Sequence, residues 1–187
     1  MGEIKRIRTP LTDDVVKSLR AGDAVEITGL IYTARDLAHQ RLTESLKKGE
    51  DLPFNIRGAV VYYVGPSPAK PGRVIGSCGP TTSYRMDVYT PALLRAGLKG
   101  MIGKGNRSPA VIRALKEFSG VYFAAVGGAA ALLSQRVRAA RVIAYEDLGP
   151  EALQELSVEN FPVIVVNDCY GADLYQEGVS RYKKYET

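Results

Sequence analysis

Residues 58–64, 121–126 and 162–166 are runs with almost no polar interruption, and they constrain the fold more than any other feature of the chain. A strand with one wet face alternates apolar and polar residues, whereas a strand covered on both faces reads as a continuous apolar run. Stretches with helical punctuation lie between these runs. Residues 35–48 end at Gly49, which suits a left-handed position just past a helix. Ser108-Pro109 is an N-cap followed by proline at the first helical position, and that helix is expected to reach Phe118 and stop at Gly120. A Gly127-Gly128 turn precedes a further helix over 129–135. Earlier in the chain, Thr12 caps a helix to about Leu19, with Asp13 and Asp14 in its first turn. Residues 23–32 begin with alternation, Val25 and Ile27 sharing a face, and predict a strand. Short strands are also expected at 73–77, 100–102 and 142–145. Residues 81–96 are expected to be mostly helical, divided by Pro91 after Tyr89 or Thr90. Strands and helices in alternation predict a layered α/β domain with a mixed sheet and some parallel pairing; the alternating first half suggests mixed or antiparallel strands there.

The length of 187 residues suits one domain spanning 1–187, with 176–187 as a loosely packed tail. A composition of 45% hydrophobic and 24% charged residues excludes a disordered chain. The longest nearly uncharged run, 121–133, is shorter than the roughly 20 residues a membrane span needs. No apolar segment follows the charges at 1–6, so no signal peptide and a soluble, cytoplasmic protein are expected. Two cysteines far apart in sequence, Cys78 and Cys169, and a single histidine, His39, fall short of the four or so soft ligands of a self-contained zinc or iron–sulfur site. Neither a metal site of its own nor a structural disulfide is expected. The formal net charge of +5 favours anionic partners: small carboxylates or phosphates, or an acidic subunit. Basic residues are scattered except at Arg181, Lys183 and Lys184, interleaved with Tyr182 and Tyr185, so nucleic acid is not expected.

Three cationic segments sit where strands are expected to give way to helices, the usual place for ligands in α/β domains. Gly79-Pro80-Thr81-Thr82-Ser83-Tyr84-Arg85 offers free backbone N–H groups, three hydroxyls and a guanidinium one turn beyond Thr81; it reads as an anion nest or as a helix cap with an exposed arginine. Gly103-Lys104-Gly105-Asn106-Arg107-Ser108 flanks a lysine with glycines and reads as an anion-binding loop or a solvated turn. It is not a Walker A loop, because five residues separate Gly97 from Gly103 and Gly105 stands where Ser or Thr is needed. Thr33 to Arg41 opens a helix with Arg35, an unfavourable charge there unless an anion is near; His39 is read as orienting Arg35 or the helix rather than as a base. The small residues after Gly127-Gly128 favour close packing. Three cations and a threonine, without a Cys–His or Ser–His pair, suggest recognition of a compact di-anion.

The strings TARDLAHQR, GPTTSYRMDVYTP, MIGKGNRS, VYFAAVGGAAALL and FPVIVVNDCYGADLY resemble the β subunit, or C-terminal domain, of class I iron–sulfur fumarate hydratases. The related tartrate dehydratase β subunit shares the first two patterns. The resemblance implies a swivelling β/β/α domain and an inactive-alone subunit of a hydro-lyase converting fumarate and malate. It also implies a [4Fe–4S] cluster held by three cysteines of a partner α subunit, whose free iron acts as a Lewis acid on the substrate. A dimer of α–β units is the expected assembly. By the same resemblance Arg35, Arg85 and Lys104 bind the substrate carboxylates and Thr81 is the proposed base, with Asp36, His39, Thr82, Gly105 and Asn106 in support. Gly-Asn-Arg-Ser after Lys104 and the GGAAALL string tilt the expectation to fumarate, with tartrate or another hydroxy-diacid as alternative and a non-catalytic dicarboxylate-binding module as a further one. Cys78 before the GPTT turn and Tyr84 within it depart from the family pattern; Cys78 reads as a buried hydrophobe, and Tyr84 as a pocket-size or partner-facing residue.

Overall fold

A computed structural model describes residues 3–125 and 128–183. The fold is mixed α/β with a seven-stranded sheet. Four strands in succession, β1 (Lys5–Arg8), β2 (Ala24–Thr33), β3 (Val60–Tyr62) and β4 (Gly100–Gly103), pair in parallel with their neighbours, and β5 (Val121–Ala124) adds to β4 in the same sense. The antiparallel component comes from the C-terminal half: β6 (Val137–Ala144) and β7 (Leu153–Asn167). β7 runs antiparallel to β2 along nearly all of it and to β5 at its own end. Because β7 touches both β2 and β5, the pairings β2–β3–β4–β5–β7 close on themselves. Of the mixed or antiparallel pairing expected early in the chain, the mixed form is found: β1–β4 are parallel to one another, and β7 supplies the antiparallel partner of β2.

Closure explains the apolar runs. On β3, Val60 and Tyr62 join a core with Ile27, Ile31, Ile102, Phe123, Phe161 and Val165, enclosed by the sheet. Val61 and the adjoining Tyr63 point the other way, into a core with Met101 of β4 and with Ala38, Leu42, Leu93, Leu94, Val111 and Leu115 from the helices. Those helices are α2 (Asp36–Lys48), α3 (Thr90–Ala96) and α4 (Pro109–Phe118), preceded in the chain by α1 (Asp13–Ser18). Both faces of β3 are therefore dry, and every residue of β3 is fully buried. At roughly 25 cal/mol per Å² of apolar surface, this two-sided burial is the main source of stability.

Local signals account for most helix ends. Thr12 caps α1 by accepting from the Val15 N–H, and Ser108 caps α4 by accepting from that of Val111, with Pro109 beginning the helix. Gly49 ends α2 in the left-handed region, as expected, whereas α4 ends at Ser119 (φ 50°), one residue before Gly120.

Four expectations need correction. Residues 73–77 form no strand: Pro66, Pro68 and Pro71 in the facing segment lack N–H donors, and the limbs are joined by Arg73 N–H to Lys70 O at the turn, Ser67 N–H to Ser77 O and Ser77 N–H to Ser67 Oγ, which build no ladder. Residues 81–96 are not one helix divided at Pro91. Thr82 is extended and bridges Lys104, Tyr84–Met86 is a single 3₁₀ turn, and α3 starts at Thr90, with Pro91 within its first turn. β6 and β7 are far longer than 142–145 and 162–166, because their outward positions carry charges that hide the strand, as in the Arg141–Glu155 and Arg138–Glu159 pairs at 2.8 Å. β1 was not expected at all. In the C-terminal part, Ala130–Ser134 forms α5 and Leu174–Tyr182 forms α6, which buries none of its residues. Val126 at the end of the apolar run, Gly127 of the glycine turn, and Lys184 and Tyr185 of the basic tail lie outside the described residues. Among the described residues no helix is long and apolar enough to cross a membrane.

Candidate functional site

Three segments meet at one end of the parallel strands: the start of α2 after β2, the 79–85 turn, and the 104–108 loop after β4. Backbone bonds set their register. The Thr81 N–H donates to Tyr63 O at 2.7 Å, Ser83 N–H to Lys104 O at 2.9 Å and Lys104 N–H to Thr81 O at 3.3 Å. Gly103 permits this approach, since a Cβ there would lie 2.0 Å from Ser83 Oγ. Side chains then link across. Arg85 Nη2 donates to Thr81 Oγ1 at 3.0 Å and lies 3.3 Å from Asp36 Oδ2. Arg35, the residue before α2, places Nη2 3.4 Å from Glu151 Oε1. The Glu151 Oε2 accepts the Leu37 N–H at 3.1 Å, so this carboxylate occupies the electropositive N-terminus of α2. Thr33 brings Glu151 there, accepting from Gln154 N–H and donating to Ala152 O. Gly65 lets the guanidinium pass, a Cβ there falling 2.8 Å from Arg35 Nη1.

The structure thus brings Arg85, Thr81, Thr82, Asp36, Lys104 and Gly105 onto adjacent segments, with Arg35 beside Asp36 in the chain. Arg85 and Arg35 are each paired with a carboxylate. Lys104 and Asn106 are exposed, and Lys104 makes no ion pair among the described residues. Arg35 Nε is buried without a partner.

His39 is fully buried on α2. Its Nδ1 lies 2.8 Å from Arg35 O, an acceptor, so Nδ1 carries the proton and Nε2 presents a bare lone pair with no partner. Burial and, secondarily, the Arg107 charge push its pKa down to about 4, despite the opposing bond to Arg35. The ring is neutral and bonded to the Arg35 backbone. Cys78 is buried in the sheet-enclosed core, its thiol pushed up to about 11 by burial, and the Tyr62 hydroxyl donates to its carbonyl. Tyr84 is 64% exposed.

Two groups escaped the sequence reading. Glu151 is one; it lies in a charged stretch with no motif to mark it. The other is Arg107, inside a segment that had drawn notice for its lysine. Its side chain is wholly inaccessible, with Nε 2.7 Å from Asp87 Oδ1 and Nη2 2.7 Å from Thr90 Oγ1. A buried arginine is rare enough that only its surroundings reveal it.

A cleft of ≈ 810 Å³ lies elsewhere, between residues 67–77 and the α5–β6 junction, and none of Arg35, Thr81, Arg85 or Lys104 lines it. The candidate residues lie apart from it, with Arg35 partly exposed and Arg85 and Lys104 exposed. No group of three or more His, Cys, Asp or Glu among the described residues could hold a metal ion, and Cys78 and Cys169 are both free and buried. The donor set of the described residues therefore does not fit an iron–sulfur cluster.

The fold and this site define an α/β domain with cations gathered where strands lead into helices. The chain belongs to the family described as Fumarase C-terminus, whose model matches residues 3–178. It is 42% identical over 173 residues to a Methanocaldococcus jannaschii protein named "Putative L(+)-tartrate dehydratase subunit beta", covering 89% of each chain. It is 39% identical over 155 residues to the aerobic class I fumarate hydratase of Escherichia coli K12, covering 82% of this chain and 28% of that one. Fumarate hydratase 1, mitochondrial, of Leishmania major is likewise 39% identical over 155 residues, with the same coverage. The chain thus spans nearly the full length of a separate β subunit but under a third of the fumarate hydratases. Its relatives are hydro-lyases by name.

Proposed function

We propose that this chain is the β subunit of a two-component hydro-lyase that interconverts fumarate and malate, inactive without a cluster-bearing α subunit. The observation that carries the reading is the Arg85–Thr81–Lys104 arrangement, in which Arg85 donates to the Thr81 hydroxyl and backbone bonds hold the Lys104 segment against the Thr81–Ser83 segment. Arg85 and Lys104, with Arg35, bind the two carboxylates of the substrate. Paired cations are pre-oriented, and exchanging an intramolecular carboxylate for one of the substrate keeps the charge-assisted bonds, each worth about 1.5–3 kcal/mol.

Thr81 is the group for the transferred proton. A threonine hydroxyl is a weak base at its free pKa. The guanidinium donating to Thr81 Oγ1 lowers the cost of negative charge on that oxygen and leaves its own proton directed elsewhere. The remaining basicity comes from the partner. Thr82, Gly105 and Asn106 shape the loop edge. The [4Fe–4S] cluster and its chemistry belong to the α subunit, in keeping with the donor set described above. Pairs of α–β units form the assembly, and the protein is cytoplasmic.

Co-expression with a cysteine-rich partner, anaerobic purification and assays with malate and with tartrate test the reading. Malate turnover by the complex, absent from either chain alone, is expected; turnover by this chain alone would overturn it. The alternative substrate is tartrate, favoured by the 42% identity to a tartrate dehydratase β subunit over nearly its whole length. A higher kcat/KM for tartrate would decide for it.

A further inference from the structure

The 104–108 loop is held from behind by an arginine that faces no solvent. Arg107 directs two donors to the segment that carries Arg85, Nε to Asp87 Oδ1 at 2.7 Å and Nη2 to Thr90 Oγ1 at 2.7 Å, and a third to the residue after β3, Nη1 donating to the Tyr63 hydroxyl at 3.3 Å. Asp87 closes the loop of contacts, its Oδ2 accepting the Ser108 N–H at 2.6 Å. One carboxylate thus grips both the side chain and the adjoining backbone. The guanidinium lies 4.8 Å from the centre of the Tyr122 ring and 5.3 Å from that of Tyr63, so aromatic faces replace the water it has lost. The Tyr122 hydroxyl donates to Gly105 O at 2.9 Å and lies 2.9 Å from Ser83 Oγ. Its single proton is committed to Gly105, so Ser83 is the donor in the second bond.

We infer that Arg107 is a positioning residue: with Asp87 and Tyr122 it sets the place of Lys104 relative to Arg85 and Thr81. The inference rests on the reading of Lys104 as a carboxylate-binding group. Lys104 itself projects into solvent without an ion-pair partner among the described residues, so nothing on its own side chain fixes where its ammonium sits. Its backbone supplies that: the Thr82–Lys104 bridge on one flank, and Gly105 and Arg107 tied to Tyr122 and Asp87 on the other. Desolvating a guanidinium is costly, and an apolar residue would fill the space with less penalty. What an apolar residue lacks is direction. A planar fork contacting Asp87, Thr90 and Tyr63 admits one placement of the loop.

The test combines two variants and two readouts. Arg107→Lys keeps the charge beside Asp87 and gives up the fork; Tyr122→Phe removes only the hydroxyl and is the milder change. In the full chain, amide hydrogen exchange at 105–108 is expected to accelerate while β4 stays protected. In the complex with its cluster-bearing partner, KM for the dicarboxylate is expected to rise about tenfold or more, as a displacement of ångström scale does to a binding group. A purely structural role would lower Tm and the active fraction while leaving KM unchanged, and that result overturns the inference. Unchanged exchange at 105–108 in both variants overturns it too. Lys104→Met serves as the control: it leaves the loop's exchange as it was, so an unaltered KM in that variant would sink the reading of the site, and the inference with it.

Discussion

The two ends of the cationic surface are built on opposite principles. At the α2 end the charges are answered in place: Arg35 faces Glu151, and Arg85 faces Asp36. At the 104–108 end the charge is left open, and the backbone beneath it is tied to a wholly buried ion pair between Arg107 and Asp87. The first arrangement orients flexible side chains at the cost of part of their field. The second leaves the field of Lys104 intact and removes its freedom at the root.

Breaking the buried end has the largest expected effect. Arg107→Ala orphans Asp87 and is expected to destabilise the chain by ~3–5 kcal/mol, read from urea unfolding. A loss below about 1 kcal/mol would mean that the pair is no anchor.

Lys104→Met or Arg85→Met compares the open cation with the paired one. Each is expected to weaken dicarboxylate recognition in the assembled complex by ~2–5 kcal/mol in kcat/KM. Near-normal kinetics in either variant removes that residue from the site.

His39 lies between the ends, near both Arg35 and Arg107. Its folded pKa of about 4 lies below the unfolded value near 6.5, so both states are neutral above pH 6.5 and its contribution is full there. As pH falls from 6.5 towards 4, only the unfolded chain takes up a proton, and stability drops by up to ~3 kcal/mol. His39→Gln should flatten that part of the stability–pH curve, and a wild-type curve already flat between pH 4 and 6.5 contradicts the assignment.

The smallest effect makes the α2 end resemble the other. Glu151→Gln retains an acceptor for Leu37 N–H and uncovers Arg35, so malate binding in the complex should tighten by ~0.3–1 kcal/mol, the scale of a partly screened pair. Calorimetric titration that shows weaker binding instead would make Glu151 a required orienting group.

Local chemistry was legible where one residue or dipeptide decides it. Ser108-Pro109 starts α4 and Gly49 ends α2 because a cap or a left-handed position needs no distant partner. The segments bearing Arg35 and Lys104 could be read as strand-to-helix junctions for the same reason, whereas that of Arg85 could not, since no strand forms at 73–77 and 81–85 is not the start of a long helix. Thr82 is extended because Lys104 pairs with it, a contact between residues 22 positions apart that no local propensity encodes. β7 was hidden by its outward glutamates, which read as loop until Arg138 and Arg141 on β6 lie opposite them.

By itself the sequence determined the alternation of strands and helices, the dry character of β3 and β5, and which positive residues lie at their ends. These follow from side-chain chemistry within a few residues. Only the tertiary structure decided that β7 closes the sheet against β2 and β5, that Glu151 arrives beside Arg35, and that Arg107 turns inward while Lys104 turns out. Each of those depends on pairing between distant segments. The free energy that selects such pairings comes from surfaces that exist only once the chain has folded.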